Sequence, residues 1–323
     1  MSADEFEIIA RYFAPLAKSP AARGLRDDVA LVDGAGGLVL TTDALVEGVH
    51  FFPDDPMDLV AKKALRVNFS DLAAKGAKPV GFLLVLIWPD HRPASEIADF
   101  AKGLEQDAAF YDAPLLGGDT TSTAGPLTIA VTALGAPLGA RTPARADAQP
   151  GDDVWVTGDI GDAWLGLLAR RGQLEMEADA IATAVQRYRL PEPPLAFARI
   201  IAEHANASMD VSDGLLADAR KLAEASKCAI DINAAPLSDV ARAWLGASGD
   251  RLLELISGGD DYEILFTAAA DRRDAIEAGG RETGVRVTRV GSTSEGEGLR
   301  LRDSSGRLIE LPPRAGFRHT LGR

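Results

Sequence analysis

The chain has 323 residues, of which 46% are hydrophobic and 25% are charged, a balance that is typical of globular proteins and excludes a disordered or fibrous chain. Because a single hydrophobic core seldom serves more than about 250–300 residues, this length predicts two domains with a cleft between them. The 48 acidic and 34 basic side chains give a net charge of −14, and no dense Lys/Arg run is present, so nucleic acid is not expected as a partner.

Cysteine usage and apolar runs limit the compartment. Cys228 is the single cysteine, which excludes an intramolecular disulfide framework and a multi-cysteine zinc site. We therefore expect a cytoplasmic location. Residues 1–11 lack the basic-then-apolar pattern of a signal peptide, and the longest apolar runs, such as residues 80–88, are too short to span a bilayer. No membrane association is expected.

Hydrophobic periodicity and turn residues predict mixed helices and strands along the whole chain. Helices are predicted over residues 6–13, 58–67, 70–75, 96–111, 163–170, 178–188 and 195–204, with a further helix ending at Ser226. Strands are predicted over residues 29–32, 38–42, 80–87, 114–116, 127–134, 153–157, 229–232, 263–267, 285–290 and 299–301, with another beginning at Met209. Residues 117–120, Gly-Gly-Asp-Thr, are predicted to form a turn.

The best domain boundary is the segment over residues 137–151, because its proline and glycine content disfavours the interior of either a helix or a strand. The pattern of strands and helices restarts after it. The sequence therefore predicts an N-terminal domain over residues 1–148 and a C-terminal domain over residues 149–323, both of mixed α/β class.

Acidic and hydroxyl side chains recur where predicted strands end or helices begin. They are Asp27-Asp28, Thr41-Thr42-Asp43, Asp71, Gly118-Asp119, Asp210 with Ser212-Asp213, and Asp260-Asp261. If these carboxylates converge, each close pair costs about 4 kcal/mol of repulsion at an effective dielectric near 20. Bound cations would remove that cost. Oxygen ligands without cysteine fit Mg²⁺ or Mn²⁺ better than zinc, and Mg²⁺ usually accompanies nucleotide phosphates.

Several of these residues have a structural alternative. Asp71 and Asp213 could each cap a helix. The Gly158–Gly161 turn could cradle a phosphate at a helix N-terminus or simply connect a strand to a helix, and we favour the connection. Arg145 could reach a phosphate or lie solvated on the surface, and His50 could bind substrate phosphate or satisfy a turn.

The two commonest templates for phosphoryl transfer are missing from the sequence. The chain contains neither a Gly-x-x-x-x-Gly-Lys-Ser/Thr loop nor the His-Arg-Asp and Asp-Phe-Gly pair of protein kinases. A nucleotide would therefore be held in another way.

Taken together, the motifs resemble those of the thiamine-monophosphate kinase family, in the same order from near residue 4 to about residue 318. They are Asp4-Glu5-Phe6-Glu7-Ile8-Ile9, Arg26-Asp27-Asp28, Thr41-Thr42-Asp43, Gly48-Val49-His50-Phe51, Asn68-Phe69-Ser70-Asp71-Leu72-Ala73-Ala74-Lys75-Gly76-Ala77, Leu116-Gly117-Gly118-Asp119-Thr120-Thr121, Val156-Thr157-Gly158, Asp210-Val211-Ser212-Asp213-Gly214-Leu215 and Ser257-Gly258-Gly259-Asp260-Asp261-Tyr262-Glu263.

The resemblance implies the two-domain α/β fold of the aminoimidazole ribonucleotide synthetase superfamily. In that fold an N-terminal mixed sheet with helices forms a homodimer, and a C-terminal α/β domain completes the active-site cleft. It also implies a reaction, in which the γ-phosphoryl group of the co-substrate ATP passes directly and in line to thiamine monophosphate. A loose phosphoryl transition state needs alignment and charge neutralisation rather than a protein nucleophile, and several Mg²⁺ ions could supply both.

The resemblance further implies a role for individual residues. The ligands of the Mg²⁺ ions would be Asp28, Thr41, Thr42, Asp43, Asp71, Asp119, Asp210 and Asp213. The nucleotide would contact Tyr111, Gly118, Asp119, Arg145 and Ser212. Thiamine monophosphate would be held by His50, Asp260 and Phe317.

Two positions depart from the family pattern: Arg26 replaces a glycine, and Asp260 replaces a glutamate that is one methylene longer. The alternatives within the superfamily are an ATP-dependent cyclase and a selenophosphate synthetase, and Cys228 does not lie where the latter carries its reactive residue. A catalytically silent Mg-ATP-binding module is the alternative from another class.

Overall fold

The computed structural model describes residues 3–4, 14, 20–32, 36–246, 249–303, 305–311, 316 and 320–321. Two sheets dominate the described chain, and both mix parallel and antiparallel neighbours. The predicted mixed α/β class is thereby confirmed. A short antiparallel pair, β1 (Ala3–Asp4) with β14 (Thr320–Leu321), brings the two ends of the chain together.

The first sheet has five strands in the order β2-β3-β6-β4-β5, with only β4 and β5 parallel. Its strands are β2 (Ala30–Val32), β3 (Leu38–Val46), β4 (Ala77–Pro89), β5 (Leu115–Thr123) and β6 (Thr128–Pro137). Helix α1 (Met57–Ala74) crosses β3, β6 and β4 on one face, and helix α2 (Glu96–Phe110) packs against α1.

The second sheet has seven strands in the order β13-β12-β9-β11-β7-β10-β8. They are β7 (Asp153–Thr157), β8 (Ala207–Val211), β9 (Ala229–Ile232), β10 (Glu263–Ala268), β11 (Val287–Ser294), β12 (Gly298–Arg302) and β13 (Leu308–Ile309). Its helices are α3 (Asp162–Arg170), α4 (Ala178–Arg189), α5 (Ala198–His204), α6 (Leu215–Ser226), α7 (Asp239–Leu245), α8 (Gly249–Ser257) and α9 (Arg273–Thr283).

Helix α1 joins the two sheets. Its sequence contains no glycine or proline and is rich in good helix formers, and 14 of its 18 residues are buried. Ala73 and Ala74 near its C-terminus are fully buried and pack in one cluster with Trp155 and Phe266 of the second sheet. The helix also covers β8, an edge strand that is buried along its whole length. Residues of both domains are thereby brought together at the end of α1.

Two sequence predictions are wrong. The predicted helices over residues 58–67 and 70–75 are one continuous helix, so Asp71 caps nothing. The predicted turn over residues 117–120 lies inside strand β5. A Cβ atom at Gly118 would lie 1.8 Å from the Leu84 carbonyl oxygen, so glycine is required by the close approach of β4 rather than by a turn.

Most other predicted elements are confirmed to within a few residues, including β7 and β9 at both ends. The predicted opening helix over residues 6–13 lies outside the described residues. Helices α7, α8 and α9 were not predicted. The division at residue 148 stays a prediction, although the two sheets lie on either side of it. Among the described helices, none combines the length and the apolar character needed to cross a bilayer.

Candidate active site

Three carboxylates from different parts of the fold converge beside the C-terminal end of α1. Asp28 precedes β2, Asp71 lies in the last turn of α1, and Asp210 is the fourth residue of β8. One oxygen of each lies within 4.8 Å of the others. All three side chains are largely buried, with 6% of the Asp28 side chain exposed. The structure thus brings together three of the predicted metal ligands, while their binding of a metal stays a prediction.

Strand β3 adds two more of the predicted residues. The Thr41 hydroxyl donates a hydrogen bond of 2.5 Å to Asp71 Oδ2. The backbone N–H of Asp43 donates to Asn68 Oδ1 of α1 at 2.9 Å, which fixes β3 against the helix. Asp43 is close enough for its charge to raise the pKa of both Asp71 and Asp210. Thr41 and Asp43 therefore belong to the cluster.

Thr42 is placed differently. Successive side chains of a strand point to opposite faces, so its hydroxyl lies on the face away from Thr41 and Asp43. There it donates to the Val131 carbonyl oxygen at 3.0 Å. Its side chain does not join the cluster.

Burial and mutual repulsion shape the protonation of the trio. Burial, followed by the charges of Asp210 and Asp43, raises the pKa of Asp71 well above its ordinary value. Burial, followed by the charge of Asp28, does the same to the pKa of Asp210. Burial also opposes ionisation of Asp28, but Arg145 and Lys75 outweigh it and hold the Asp28 pKa below its ordinary value.

The residues of the cluster fit a hard divalent cation. Oxygen atoms of Asp28, Asp71 and Asp210 approach closely without any sulfur or imidazole ligand in the group. Asp28 Oδ2 is buried and accepts no hydrogen bond of good geometry among the described residues, although the Lys75 ammonium lies 2.8 Å away. Burial and then mutual repulsion raise the pKa values of Asp71 and Asp210, and a cation bound among these oxygens would offset the repulsion.

This arrangement predicts an unusual dependence of stability on pH for the metal-free protein. Because Asp71 and Asp210 have raised pKa values, the folded state binds more protons than the unfolded state, and the free energy of unfolding should rise as the pH falls from about 8 to about 5. The lowered pKa of Asp28 acts in the opposite direction only below its ordinary value of 3.8. Urea denaturation at both pH values, with and without MgCl₂, measures the effect.

Burial also raises the pKa of Glu263 to about 7, so this residue contributes to the same rise in stability as the pH falls. The Asp71→Asn variant is therefore needed to separate the contribution of the cluster from that of Glu263. The variant should lose part of the pH dependence, and Mg²⁺ should reduce it in the parent protein. A metal-free stability that stays flat or rises from about pH 5 to about pH 8 would contradict the electrostatic account.

Arg145 lies beside the cluster. Its guanidinium is paired with the Asp28 carboxylate, and only 16% of its side chain is exposed. Its backbone N–H donates to Asp27 Oδ2 at 3.2 Å. The interpretation as a solvated surface residue is therefore wrong, while contact with a nucleotide stays a prediction.

Asp213 lies on the loop between β8 and α6. Helix α6 begins at Leu215 after Gly214, so Asp213 is not its cap. The Asp213 carboxylate instead accepts from Lys221 Nζ at 2.5 Å, and its N–H donates to the buried Asp218 carboxylate at 3.0 Å. The neighbouring Ser212 carbonyl accepts from the Asp260 N–H at 2.8 Å, which connects this loop to the Gly259-Asp260 segment.

A cavity of about 670 Å³ opens beside the cluster. Five of the predicted residues line it: Asp43, His50, Ser212, Asp213 and Asp260. The structure thus brings residues that were predicted to bind the metal ions, the nucleotide and the acceptor to one cavity. The turn interpretation of His50 is also confirmed, because its Nδ1 accepts from the Val46 N–H at 2.9 Å.

A buried lysine of α1 contacts two of the residues that line this cavity. Lys63 Nζ lies 3.5 Å from Asp260 Oδ1 and donates to the His50 carbonyl oxygen at 3.0 Å. The ammonium also lies 3.9 Å from the centre of the Tyr188 ring. His50 of the first domain and Asp260 of the second are thereby tied to the same side chain.

Other predicted residues are not at the cluster. Asp43 on β3 and Gly118 on β5 lie in the same row of the first sheet, with β6 and β4 between them. Since neighbouring strands are about 4.8 Å apart, these backbones are separated by about 14 Å. Gly118 and Asp119 are both exposed. Tyr111 lines a different cavity, of about 600 Å³, and Phe317 lies outside the described residues.

The Gly158–Gly161 turn serves the structural role that we favoured. The Gly161 N–H donates to both carboxylate oxygens of Asp261, at 2.9 and 3.0 Å. A side-chain carboxylate thus holds the backbone group that a phosphate would need.

Sequence reasoning missed three lysines that hold these acids, namely Lys63, Lys75 and Lys221. Lys75 directly follows α1, with 0% of its side chain exposed, and pairs with Asp27 and Asp28. The sequence signal that could have found Lys75 was its spacing from Asp71. A residue four positions after Asp71 lies about one helical turn further along the same side of the chain.

The fold, and the acidic cluster beside the cavity, define the class of the protein. Residues 26–136 match the family described as AIR synthase related protein, N-terminal domain, and residues 149–304 match the corresponding C-terminal domain. The chain is 44% identical to a thiamine-monophosphate kinase of Caulobacter vibrioides, covering 98% of this chain and 90% of that one. It is 38% identical to a thiamine-monophosphate kinase of Escherichia coli K12, covering 93% of each.

Among solved structures, the fold is similar to that of AaThiL complexed with AMPPCP and TMP. The TM-score is 0.86 at 31% identity, covering 98% of this chain and 97% of that one. The chain belongs to the thiamine-monophosphate kinase family.

Proposed function

We propose that the protein transfers the γ-phosphoryl group of ATP to thiamine monophosphate, which gives thiamine diphosphate and ADP. The observation that carries the proposal is the meeting of Asp28, Asp71 and Asp210 beside a cavity that His50 and Asp260 line. The high identity to thiamine-monophosphate kinases, over almost the whole chain, supports the choice of acceptor.

Within this proposal the cluster holds Mg²⁺ ions. The first ligands are Asp28, Asp71 and Asp210, with Thr41 and Asp43 beside them. Bound Mg²⁺ neutralises phosphate charge and aligns the two reacting phosphates. The chain itself contributes orientation, with Arg145 and Ser212 on the nucleotide side and His50 and Asp260 on the acceptor side. No protein nucleophile is needed, because the acceptor is already an ionised phosphate oxygen and the transfer is direct and in line.

We further propose that the active form is a homodimer joined through the first sheets. Strand β5 is an edge strand exposed over most of its length, and an unpaired edge is suited to pairing with a second copy. Four apolar side chains on β4 and β5 are exposed: Val80, Leu83, Leu115 and Leu116. Since Asp119 lies far from the cluster of its own chain, a second copy is the natural source of this ligand.

The domain division at residues 148 and 149 belongs to the same proposal. The two family matches end at residue 136 and begin at residue 149, which supports the boundary. A cytoplasmic location is proposed from the presence of a single, buried cysteine, Cys228.

The test is an assay of ADP and thiamine diphosphate with three acceptors in parallel: thiamine monophosphate, unphosphorylated thiamine and inorganic phosphate. Thiamine diphosphate formed in equal amounts with ADP, and only from thiamine monophosphate, is the expected result. Binding of Mg-ATP without ADP release would favour the silent binding module. ADP release without phosphorylation of any of the three acceptors would favour a cyclase or another acceptor of the superfamily.

A further inference from the structure

Lys75 lies inside the acidic cluster rather than at its edge. Its side chain is fully buried, with Nζ 2.7 Å from Asp27 Oδ1 and 2.8 Å from Asp28 Oδ2. The same ammonium donates to the Ser208 carbonyl oxygen. A buried lysine is costly unless it is paired and hydrogen-bonded, and here two carboxylates and a carbonyl satisfy that requirement.

This residue touches each segment that supplies a carboxylate to the trio. It pairs with Asp28 directly, and its backbone N–H donates to the Asp71 carbonyl oxygen at 3.0 Å. Ser208 lies two residues before Asp210 on β8, and its hydroxyl donates back to the Ala74 carbonyl oxygen. The loop before β2, the end of α1 and strand β8 thus meet at one residue, whose side chain contacts the loop and the strand.

We propose that Lys75 is a fixed cation of the cluster, which supplies part of the positive charge that holds Asp28, Asp71 and Asp210 together before any divalent ion binds. The charge of a side chain that is covalently part of the protein cannot dissociate, unlike a bound ion. It therefore lets the metal-free protein keep its ligands in place, and it also lowers the affinity of the site for divalent cations by repulsion. The inference rests on the cation site proposed above and does not depend on the acceptor.

The test compares Lys75→Met with Lys63→Met in full-length protein, using MgCl₂ alone as the probe. Both lysines are buried and belong to the same stretch of chain, but Lys63 pairs with Asp260 instead of the cluster. Both variants should have a lower Tm without metal. In Lys75→Met, Mg²⁺ should raise Tm by about 2–4 °C more than it does in the parent, and calorimetric titration should give a Kd for Mg²⁺ at least about tenfold lower.

Lys63→Met should show the same Mg²⁺-induced shift of Tm as the parent. If folded Lys75→Met protein were obtained only in buffers that contain MgCl₂, that would be the strongest form of the expected result. If this variant does not fold in either buffer, Lys75→Gln, which keeps a hydrogen-bond donor but no charge, carries the same expectation.

An equal Mg²⁺ shift in the parent and the Lys75 variant would overturn the role of Lys75 and leave the cation site standing. No Mg²⁺ effect on any of the three proteins would overturn both. Neither readout involves turnover, so failure of the proposed acceptor is distinguished from failure of this inference.

Discussion

Replacement of Asp71 by asparagine should lower the rate of phosphoryl transfer about 100-fold or more, because a metal ligand contributes several kcal/mol to the transition state and each 1.36 kcal/mol is tenfold in rate. The metal-free variant should nevertheless be at least as stable as the parent. The neutral amide still accepts the hydrogen bond from Thr41, while the repulsion from Asp210 and Asp43 disappears. Steady-state kinetics and urea denaturation measure the two effects.

Asp153→Asn is the matched control. Asp153 is also buried, with 3% of the residue exposed, but its carboxylate pairs with Arg273 of helix α9 and Arg289 of strand β11. This variant should lose stability and keep the parent rate. If Asp71→Asn instead kept more than about a tenth of the parent rate, or lost stability as the control does, Asp71 would not be a ligand in a strained acidic cluster.

The second large effect concerns Asp119 and the proposed homodimer. Asp119→Asn and Asp43→Asn should each lose most of the activity as homodimers. A heterodimer of the two variants, produced with two different tags and purified through both, should regain about half of the parent activity, because in a twofold dimer one site receives both intact residues and the other receives neither. The measured quantity is the specific activity of the doubly purified protein.

The heterodimer of Asp43→Asn with Asp71→Asn serves as the control. Both residues belong to the cluster of one chain, so each site of this heterodimer lacks one of them and activity should stay low. An equally inactive heterodimer of Asp119→Asn with Asp43→Asn would show that Asp119 does not act across the dimer. A monomeric parent protein in solution would exclude the arrangement altogether.

The sequence pointed to acidic residues that the fold brings together, but it did not give the placement of every predicted ligand. Asp28, Asp71 and Asp210 meet in the structure, while their role as metal ligands stays a prediction. The position of Asp119 could not be predicted in this way, because its distance from Asp43 depends on the order of the strands in the sheet. Strand order is a property of the whole fold and leaves no local signal.

Two local errors have the same physical origin. Ser70 and Asp71 resemble a helix cap in sequence, but the Ser70 hydroxyl donates to the Tyr262 carbonyl oxygen at 3.3 Å and Asp71 accepts from Thr41. Tertiary partners therefore occupy the groups that would have capped a new helix. Gly117-Gly118 resembles a turn, but the close approach of β4 requires glycine at position 118 in an extended strand.

The buried lysines were missed because a lysine in or beside a helix is ordinarily solvated. Only the fold places Lys75 against Asp27 and Asp28, and Lys63 against Asp260. The positions that bear charge were visible in the sequence, whereas the pairs that balance the charge were not.

The most direct test of the account is the amount of thiamine diphosphate formed from γ-labelled ATP and thiamine monophosphate as free Mg²⁺ is varied. Label should appear in thiamine diphosphate in equal amounts with ADP, its formation should require Mg²⁺, and excess chelator should abolish it. Product formed at the full rate in excess chelator would contradict the role of the acidic cluster, and ADP released without labelled thiamine diphosphate would contradict the proposed reaction.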